Sequence, residues 1–172
     1  IEGTGDDGIQ AEATDDSTDE NNGQLLIKGG DLRITLTAQD VAGLKSDSLL
    51  TISGGNVTIS ASGAADKCIK SGTDMMVTGG CIVLNNSGNG ATIDGEDETA
   101  KGLSADGNMM LVGGDISITM SGTGGKGIKV DGAYQQGDPA TGEGPVLNVQ
   151  TTGASFSGSV SSTSPWGFAP PG

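Results

Sequence analysis

The sequence predicts an all-β fold, and within that class a right-handed, single-stranded parallel β-helix of about five coils of about 25 residues. Three observations lead to this prediction: a recurring pair of glycines, a recurring step of glycine followed by Ile or Leu, and short runs in which apolar and polar residues alternate. Internal repeats with a period of about 20 to 50 residues are typical of solenoid folds, in which stacked repeats bury each other's apolar faces.

The glycine pairs give the period. They stand at residues 29–30, 54–55, 79–80 and 113–114, with spacings of 25, 25 and 34. Glycine adopts positive φ angles at little cost because it has no Cβ, so it is common where a chain turns sharply. We therefore expect each pair to form a corner of the coil with positive φ.

The second repeat, a glycine followed by Ile or Leu, shows where the coils are lengthened. Its spacings are 35, 25, 34 and 25, so the basic period is 25 and two coils carry insertions of about ten and nine residues. Both insertions are acidic: the first covers residues 13–22, and the second lies within residues 89–99. The repeated steps are Gly8-Ile9, Gly43-Leu44, Cys68-Ile69 (with Cys68 standing in for glycine), Gly102-Leu103 and Gly127-Ile128.

Alignment on this period places like residues at the same position of each coil. Within each short run they are two apart, which is the periodicity of a strand with one buried face. Three runs per coil predict a triangular prism in which each coil lies about 4.8 Å from the next. We assign residues 1–153 to the β-helix and residues 154–172 to a C-terminal cap or tail. The aligned sets are Ile9, Leu44, Ile69, Leu103 and Ile128; Leu25, Leu50, Met75 and Met109; Ile27, Ile52, Val77 and Leu111; Leu32, Val57, Ile82 and Ile116; and Ile34, Ile59, Leu84 and Ile118.

A sandwich of antiparallel hairpins is the competing fold. It predicts two-residue Asn-Gly or Asp-Gly turns at irregular intervals and no fixed register between segments. The constant spacing of the repeats favours the β-helix.

Composition and charge exclude several function classes. The 172-residue chain has a formal net charge of −14, with only seven lysines and Arg33 as basic side chains. It therefore lacks the basic surface that nucleic acids and anionic membranes require. It has no histidine, which excludes Ser-His-Asp and Cys-His catalysis, and no apolar run of about 18 residues that would cross a membrane. Cys68 and Cys81 form no CxxC motif, and isolated thiols are favoured over a bridge.

Alternation points two positions of each coil outward, just after the repeated Gly-Ile or Gly-Leu step. Stacking turns these positions into columns of Lys and Asp on one face, which predicts a binding surface for a polysaccharide. The alternative is charge neutralisation on a solvated sheet, where an exposed pair contributes about 0.2 to 1 kcal/mol. The candidate ligand-binding residues are Lys45, Asp47, Lys70, Asp106, Lys129 and Asp131.

The two acidic insertions are candidate calcium sites. The first concentrates carboxylates next to the first coil, and calcium takes six to eight oxygen ligands at about 2.3 to 2.6 Å. Neither insertion has the pattern of an EF-hand loop, and a solvated acidic loop is the alternative for both. The acidic residues of the second insertion are Asp94, Glu96, Asp97 and Glu98.

Aromatic residues, on which neutral sugars commonly stack, are few. Tyr134, Phe156, Trp166 and Phe168 lie at or beyond the last predicted coil. The tail from Ser161 contains Pro, Gly and two of these aromatics, and we expect it to cap the end of the prism. A sugar-binding role is the alternative for this tail.

Four segments carry a resemblance to a known family. They are GDDGIQAEA (residues 5–13), LTISGGNVTISASG (residues 50–63), MLVGGDISITMSG (residues 110–122) and GGKGIKVDG (residues 124–132). Together they resemble the bacterial carbohydrate-binding β-helix domain of clostridial and Bacteroides surface proteins, over residues 3 to about 153. That family is similar in fold to family 9 pectate lyases. Coil three departs from the pattern, with Cys68 in place of glycine and Gly72 in place of the outward aspartate.

The resemblance implies calcium sites, binding of polygalacturonate or cellulose-like polymers without cleavage, and an extracellular or cell-surface location. By position, the implied calcium ligands are Asp7, Glu12, Asp15 and Asp16. We therefore expect a non-catalytic, calcium-assisted binding module for an acidic or cellulose-like polysaccharide. The alternatives are a surface adhesin or structural stalk segment that binds protein, and a pectate-lyase-like enzyme.

Overall fold

A computed structural model describes residues 1–160, and these form eighteen β-strands without a helix. The all-β prediction is therefore confirmed for this range, and no helix that could span a membrane occurs in it. In chain order the strands are β1 (Glu2–Thr4), β2 (Ile9–Ala11), β3 (Leu25–Ile27), β4 (Asp31–Leu36), β5 (Ala42–Ser46), β6 (Leu50–Ile52), β7 (Asn56–Ala61), β8 (Lys67–Ser71), β9 (Met75–Val77), β10 (Cys81–Asn86), β11 (Ala91–Ile93), β12 (Glu96–Glu98), β13 (Lys101–Ala105), β14 (Met109–Leu111), β15 (Asp115–Met120), β16 (Lys126–Gln136), β17 (Val146–Thr151) and β18 (Ala154–Val160).

Six strands form a parallel sheet in the order β1-β4-β7-β10-β15-β17, and its four central strands are the ones that follow the glycine pairs. Ile59 pairs with Ile34 on one side and with Leu84 on the other, and Leu84 pairs with Ile118. These partners are 25 or 34 positions apart, which is the spacing of the glycine pairs. Neighbouring strands of this sheet thus come from successive repeats of the sequence.

A ten-stranded sheet with two arms contains the remaining strands outside the β11–β12 hairpin. The first arm contains β2, β5, β8 and β13, and the second arm contains β3, β6, β9 and β14. The long strand β16 joins the arms, because its first part pairs with β13 and its second part with β14. Ile52 pairs with Val77, and Val77 with Leu111, so this predicted ladder is confirmed. The molecule therefore has three stacks of parallel strands: the six-stranded sheet and the two arms.

Apolar side chains from all three stacks form one core. Ile59, Ile69 and Val77, one from each stack, are fully buried and belong to the same cluster. In the first repeat, Ile9 and Leu25 are only partly buried, since these strands have a neighbouring strand on one side. Apolar burial contributes about 25 cal/mol per Å². Most of this stabilisation comes from contacts between repeats, because one repeat cannot cover its own apolar side chains.

The glycine pairs form corners, and their two glycines have different roles. The second glycine of each pair has a positive φ, as Gly55 does at +88°. The first glycine allows close contact between repeats: a Cβ on Gly54 would lie 2.6 Å from the carbonyl oxygen of Lys28. The prediction of positive φ is thus confirmed for the second position. At the first position of the three later pairs (Gly54, Gly79 and Gly113) the backbone of the preceding repeat leaves no room for a side chain, whereas Gly29, in the first pair, has open space around it.

The two acidic insertions fold differently. The first is a series of turns around Asn22, whose side-chain amide donates to the carbonyl oxygens of Thr14 at 2.7 Å and Asp16 at 3.1 Å. The second contains the antiparallel hairpin of β11 and β12. Both leave the paired strands on either side in register.

One further lengthening is not evident from the repeats in the sequence. Asp115 pairs with Val146, 31 positions further along the chain. This spacing exceeds the basic period of 25 because nine residues, 137–145, connect β16 to β17. No glycine pair precedes Val146, where Gly144 and Pro145 stand instead. Alignment on the glycine pairs therefore leaves out β17, the last strand of the six-stranded sheet.

The C-terminal part of the described range continues the first arm. β18 pairs in parallel with β16, and the ring of Phe156 lies 4.8 Å from that of Tyr134. Tyr134 is fully buried, so its ring is unavailable for sugar stacking. Most of the predicted cap or tail, residues 161–172 with Trp166 and Phe168, lies outside the described residues.

We expect Leu111→Ala to destabilise the fold strongly. Leu111 is fully buried beside Val77, and truncation of a core leucine costs about 2 to 5 kcal/mol through lost burial and the cavity left behind. Met110 precedes it in β14 but is half-buried, so Met110→Ala should cost less than half as much. Urea unfolding followed by circular dichroism measures both. Equal unfolding midpoints for the two variants would contradict the inward position of this ladder.

Candidate functional site

The outward lysines of the first arm lie in one column. Lys45 pairs in register with Lys70, Lys70 with Ser104, and Ser104 with Lys129. The structure therefore brings together three of the predicted ligand-binding residues. Ser104 is only 2% exposed, so the column is interrupted between Lys70 and Lys129.

The predicted aspartates pair with these lysines or with the backbone. Lys70 lies 3.6 Å from Asp106, and Lys129 forms an ion pair with Asp131. Asp47 instead accepts a hydrogen bond from the backbone N–H of Ala13 at 2.9 Å. The Lys–Asp pairs are partly exposed, and such pairs contribute only about 0 to 1 kcal/mol each. An anionic ligand could therefore replace an aspartate at a lysine at little cost to stability.

A second lysine column, which our sequence reasoning missed, lies beside the first. Lys67 pairs in register with Lys101, and Lys101 with Lys126. The signal was present, because in three repeats a lysine stands two residues before the buried Ile or Leu. The two columns contain every lysine of the chain except Lys28. We name this surface the lysine face; its members are Lys45, Lys67, Lys70, Lys101, Lys126 and Lys129.

The hairpin of the second insertion folds against the second column. Glu98, at the end of β12, accepts a hydrogen bond from Lys101 at 2.9 Å and lies 3.9 Å from Lys67. Lys101 holds the pKa of Glu98 below its usual range, whereas burial lowers the pKa of Lys101. Lys67 is buried and also forms an ion pair with Asp40. Lys67 and Lys101 are therefore both paired with acidic side chains of the same chain.

The buried carboxylate of Asp66 holds the backbone next to these ion pairs. Asp66 accepts hydrogen bonds from the backbone N–H groups of Gly63 at 2.9 Å and Val41 at 3.2 Å. Burial raises the pKa of the Asp66 carboxyl, although both hydrogen bonds favour its charged form. These contacts fix the turn that carries Asp40 and the strand start that carries Lys67.

A small cleft of about 120 Å³ opens between the two lysine columns. Asp7 at its edge pairs with Lys45 at 2.8 Å and accepts a hydrogen bond from the backbone N–H of Ala42 at 2.6 Å. The hydrogen bond from Lys45 to Asp7 raises the pKa of Lys45. Ammonium groups placed this closely can bind a carboxylate through charge-assisted hydrogen bonds. The lining residues are Asp7, Asp40, Val41, Ala42, Lys45, Lys67 and Lys70.

The four implied calcium ligands are not gathered into one cluster. Asp7 is held by Lys45, and Asp16 accepts hydrogen bonds from the hydroxyl and N–H of Thr18 at 2.6 and 2.9 Å. Glu12 and Asp15 are exposed. Within residues 1–160 no three Asp, Glu, His or Cys side chains lie in an arrangement that could hold a metal ion. These residues therefore do not form a ready calcium site by themselves.

Cys68 and Cys81 are both free thiols. Cys68 occupies the position that glycine holds in the other repeats of the first arm, and its side chain is fully buried. Burial raises the pKa of Cys68 to about 12. Cys68 therefore serves as an apolar core residue.

Comparison with known proteins gave a family match. A family described as "Carbohydrate-binding domain-containing protein" matches residues 50–137, just over half of the chain. The matched range begins with β6 and ends just after β16, and it contains five of the six members of the lysine face. Neither the curated proteins nor the solved structures gave a match.

The Glu98 ion pair predicts a pH-dependent contribution to stability. A carboxylate whose pKa is lowered by folding stabilises the fold above its unfolded pKa, and this stabilisation is lost as the pH falls through the lowered pKa. Glu98→Gln should therefore lower the melting temperature at neutral pH. The corresponding loss of unfolding free energy is at most about 1 kcal/mol, since the pair is partly solvated.

Thermal unfolding between neutral and acidic pH measures this effect. The difference between Glu98→Gln and the parent protein should disappear in acid. Glu96→Gln is the matched control, because Glu96 lies on the same hairpin, is exposed and has no ion pair within the described range. A difference that persists in acid would show that Glu98 acts through packing rather than charge.

Proposed function

The chain belongs to the family of carbohydrate-binding domain-containing proteins, and on this premise we propose that it is a non-catalytic module that binds an acidic or cellulose-like polysaccharide. The observation that carries the proposal is the lysine face. Six lysines share one surface of a chain whose net charge is −14. Five of these lysines pair with carboxylates of the chain. An acidic polymer would therefore bind through individual lysines, by replacing the aspartate of a partly exposed ion pair, rather than through a net positive charge of the surface.

We propose that the outer column makes the first contact with an acidic polymer. Lys70 is about one third exposed and its distance to Asp106 is 3.6 Å, which is long for a charge-assisted hydrogen bond. A uronate carboxylate could approach Lys70 more closely than Asp106 does. Lys129 lies two repeats further along, and there a uronate would have to take the place of Asp131 in an existing ion pair.

We also propose that the three stacks wind as a right-handed β-helix. The support is the one-repeat register in every stack, together with the parallel direction of neighbouring strands. A connection that leads from one strand to a parallel neighbour in the same sheet is almost always right-handed, because strand twist favours that hand. An elongated polymer would then run along the stacking direction, past several lysines.

Calcium assistance and an extracellular or cell-surface location are further parts of the proposal. Of the four implied calcium ligands, Glu12 and Asp15 have no hydrogen-bond or ion-pair partner among the described side chains and would be the ones to contribute oxygen atoms. Calcium needs six to eight oxygens, so two side chains would have to be supplemented by other ligands. Polysaccharides that such a module would bind occur outside cells, which supports the location.

Lys70→Gln/Lys129→Gln should weaken binding to polygalacturonate by about tenfold at low salt, because it removes two ionic contacts of up to about 1 kcal/mol each. Lys28→Gln/Arg33→Gln makes the same change in net charge at exposed positions outside the lysine face and should bind almost as the parent protein does. Binding of soluble polygalacturonate by titration calorimetry, at two NaCl concentrations, measures both.

The salt series tests the physical cause. The difference between the two double variants should shrink as NaCl rises, because screening weakens exposed ionic contacts. Equal affinities for the two variants at low salt would contradict a role for the lysine face. Release of unsaturated product from the polymer would contradict the non-catalytic part of the proposal.

Removal of calcium with a chelator should lower retention of the protein on polygalacturonate. Glu12→Gln/Asp15→Asn should lose this dependence on calcium. Asp94→Asn/Glu96→Gln, which removes the same charge from the second insertion, should keep it. A pull-down with added calcium or chelator measures all three proteins, and retention that is unaffected by the chelator would contradict calcium assistance.

A further inference from the structure

A groove on the six-stranded sheet is lined by hydroxyl, amide and apolar groups. It encloses about 290 Å³ and runs across β4, β7, β10 and β15 and the turns that follow three of them. It lies on a different stack from the lysine face. Its lining residues are Thr35, Leu36, Ser60, Ala61, Ser62, Asn85, Asn86, Ser87, Thr119 and Ser121.

One rim of the groove is a column of polar side chains in register. Thr35 pairs with Ser60, Ser60 with Asn85, and Asn85 with Thr119. Ser60 and Asn85 are exposed although their neighbours in sequence are buried. Among residues 1–160, the side chains of this column have no hydrogen-bond partner, so their donors and acceptors are available to a ligand.

The rest of the lining adds further hydroxyl groups. Ser62 and Ser87 donate hydrogen bonds to the carbonyl oxygens of Leu36 at 3.2 Å and Ala61 at 3.3 Å, which leaves the hydroxyl oxygens as acceptors. Leu36 and Ala61 lie beneath these groups and are buried. The hydroxyls at the edge of a sugar ring can both donate hydrogen bonds to such groups and accept hydrogen bonds from them.

Because its lining residues carry no charge, the groove favours a neutral ligand over an acidic one. None of the ten lining residues is ionisable, so a polyuronate would bury its carboxylates without a cation to pair with them. The net charge of −14 adds long-range repulsion of any polyanion that approaches away from the lysine face. A neutral glycan has no carboxylate to bury and is not repelled by the net charge of the protein.

The spacing of the column also fits a polymer. Neighbouring strands lie about 4.8 Å apart, which is close to the length that one pyranose adds to an extended β-1,4-linked chain. A glycan that runs along the stacking direction would therefore present one sugar to each repeat, and the column from Thr35 to Thr119 spans four repeats.

We propose that this groove is a second binding site, which holds a neutral, extended β-linked glycan along the stacking direction with one sugar per repeat. The inference rests on the proposed carbohydrate-binding function, and it assigns neutral chains to the groove and acidic chains to the lysine face.

The test is titration calorimetry with a soluble β-1,4-linked glucose hexamer and, in parallel, with polygalacturonate. Ser60→Ala/Asn85→Ala/Thr119→Ala removes three side chains of the column and should weaken hexamer binding by about tenfold or more, since each neutral hydrogen bond contributes a few-fold. The matched control is Thr58→Ala/Ser117→Ala/Asn148→Ala. It removes the same three residue types from another outward column of the same sheet and should change hexamer affinity less than twofold.

Two further comparisons separate the sites. The groove variant should keep its affinity for polygalacturonate, and Lys70→Gln/Lys129→Gln should keep its affinity for the hexamer. Hexamer binding should not change with NaCl, because no ionic contact is involved. Should the triple variant fail to fold, the single variants Asn85→Ala and Asn148→Ala make the same comparison.

Equal hexamer affinity of the groove variant and its control would overturn the assignment of the groove and leave the proposed function intact. The same holds if the parent protein binds polygalacturonate but not the hexamer. Failure of the parent protein to bind either carbohydrate would overturn the groove assignment and count against the proposed function as well.

Discussion

Hydrogen bonding between strands one repeat apart is the constraint on which the rest of the structure depends. Each central strand of a stack has its neighbours one repeat earlier and one repeat later in the chain. A residue therefore contacts its counterpart in the next repeat, and an inward position must be apolar in every repeat for the core to be continuous. Ile59 between Ile34 and Leu84 is an example. The same constraint makes outward positions into columns, so that surface chemistry is repeated along the stack.

Two columns of different chemistry follow from this arrangement. On the first arm the repeated residue is lysine, and the acidic groups of turns and of the β11–β12 hairpin pair with it. On the six-stranded sheet the repeated residues are Ser, Thr and Asn, and the groove that they line contains no ionisable group. The two surfaces belong to different stacks, so a change in one need not alter the other. The lysine face offers partners to an acidic polymer, whereas the groove offers partners only to a neutral one, so the two kinds of polymer are separate cases.

Much of the fold could be predicted because one-repeat register leaves a direct trace in sequence spacing. The ladder of Ile52, Val77 and Leu111 and the positive φ of Gly55 follow from residue type and period alone. Val146 lies within the predicted β-helix, residues 1–153, but outside the aligned sets, because its strand lacks the glycine pair and follows a longer connection. Its place depends on hydrogen bonds to Asp115 and its neighbours, which no local pattern in the sequence reveals.

The candidate site was less accessible to sequence reasoning. The column of Lys45, Lys70 and Lys129 follows from alternation, but the burial of Ser104 and the approach of Glu98 to Lys101 depend on how the chain folds back after the hairpin. The implied calcium ligands illustrate the same limit. Nearness in sequence does not bring carboxylates together, because Asp7 is drawn to Lys45, 38 residues away.

The hairpin of residues 91–98 has a consequence for how proteins of this architecture can diversify. Leu84 and Ile118 stay paired although the chain between them is longer than the basic period of 25 residues, since the extra residues leave and re-enter at a corner. The entropy cost of a loop grows only with the logarithm of its length. Corners can therefore accept grafted segments of varied size and chemistry during evolution or protein engineering, while the regular spacing of the strands between them is preserved.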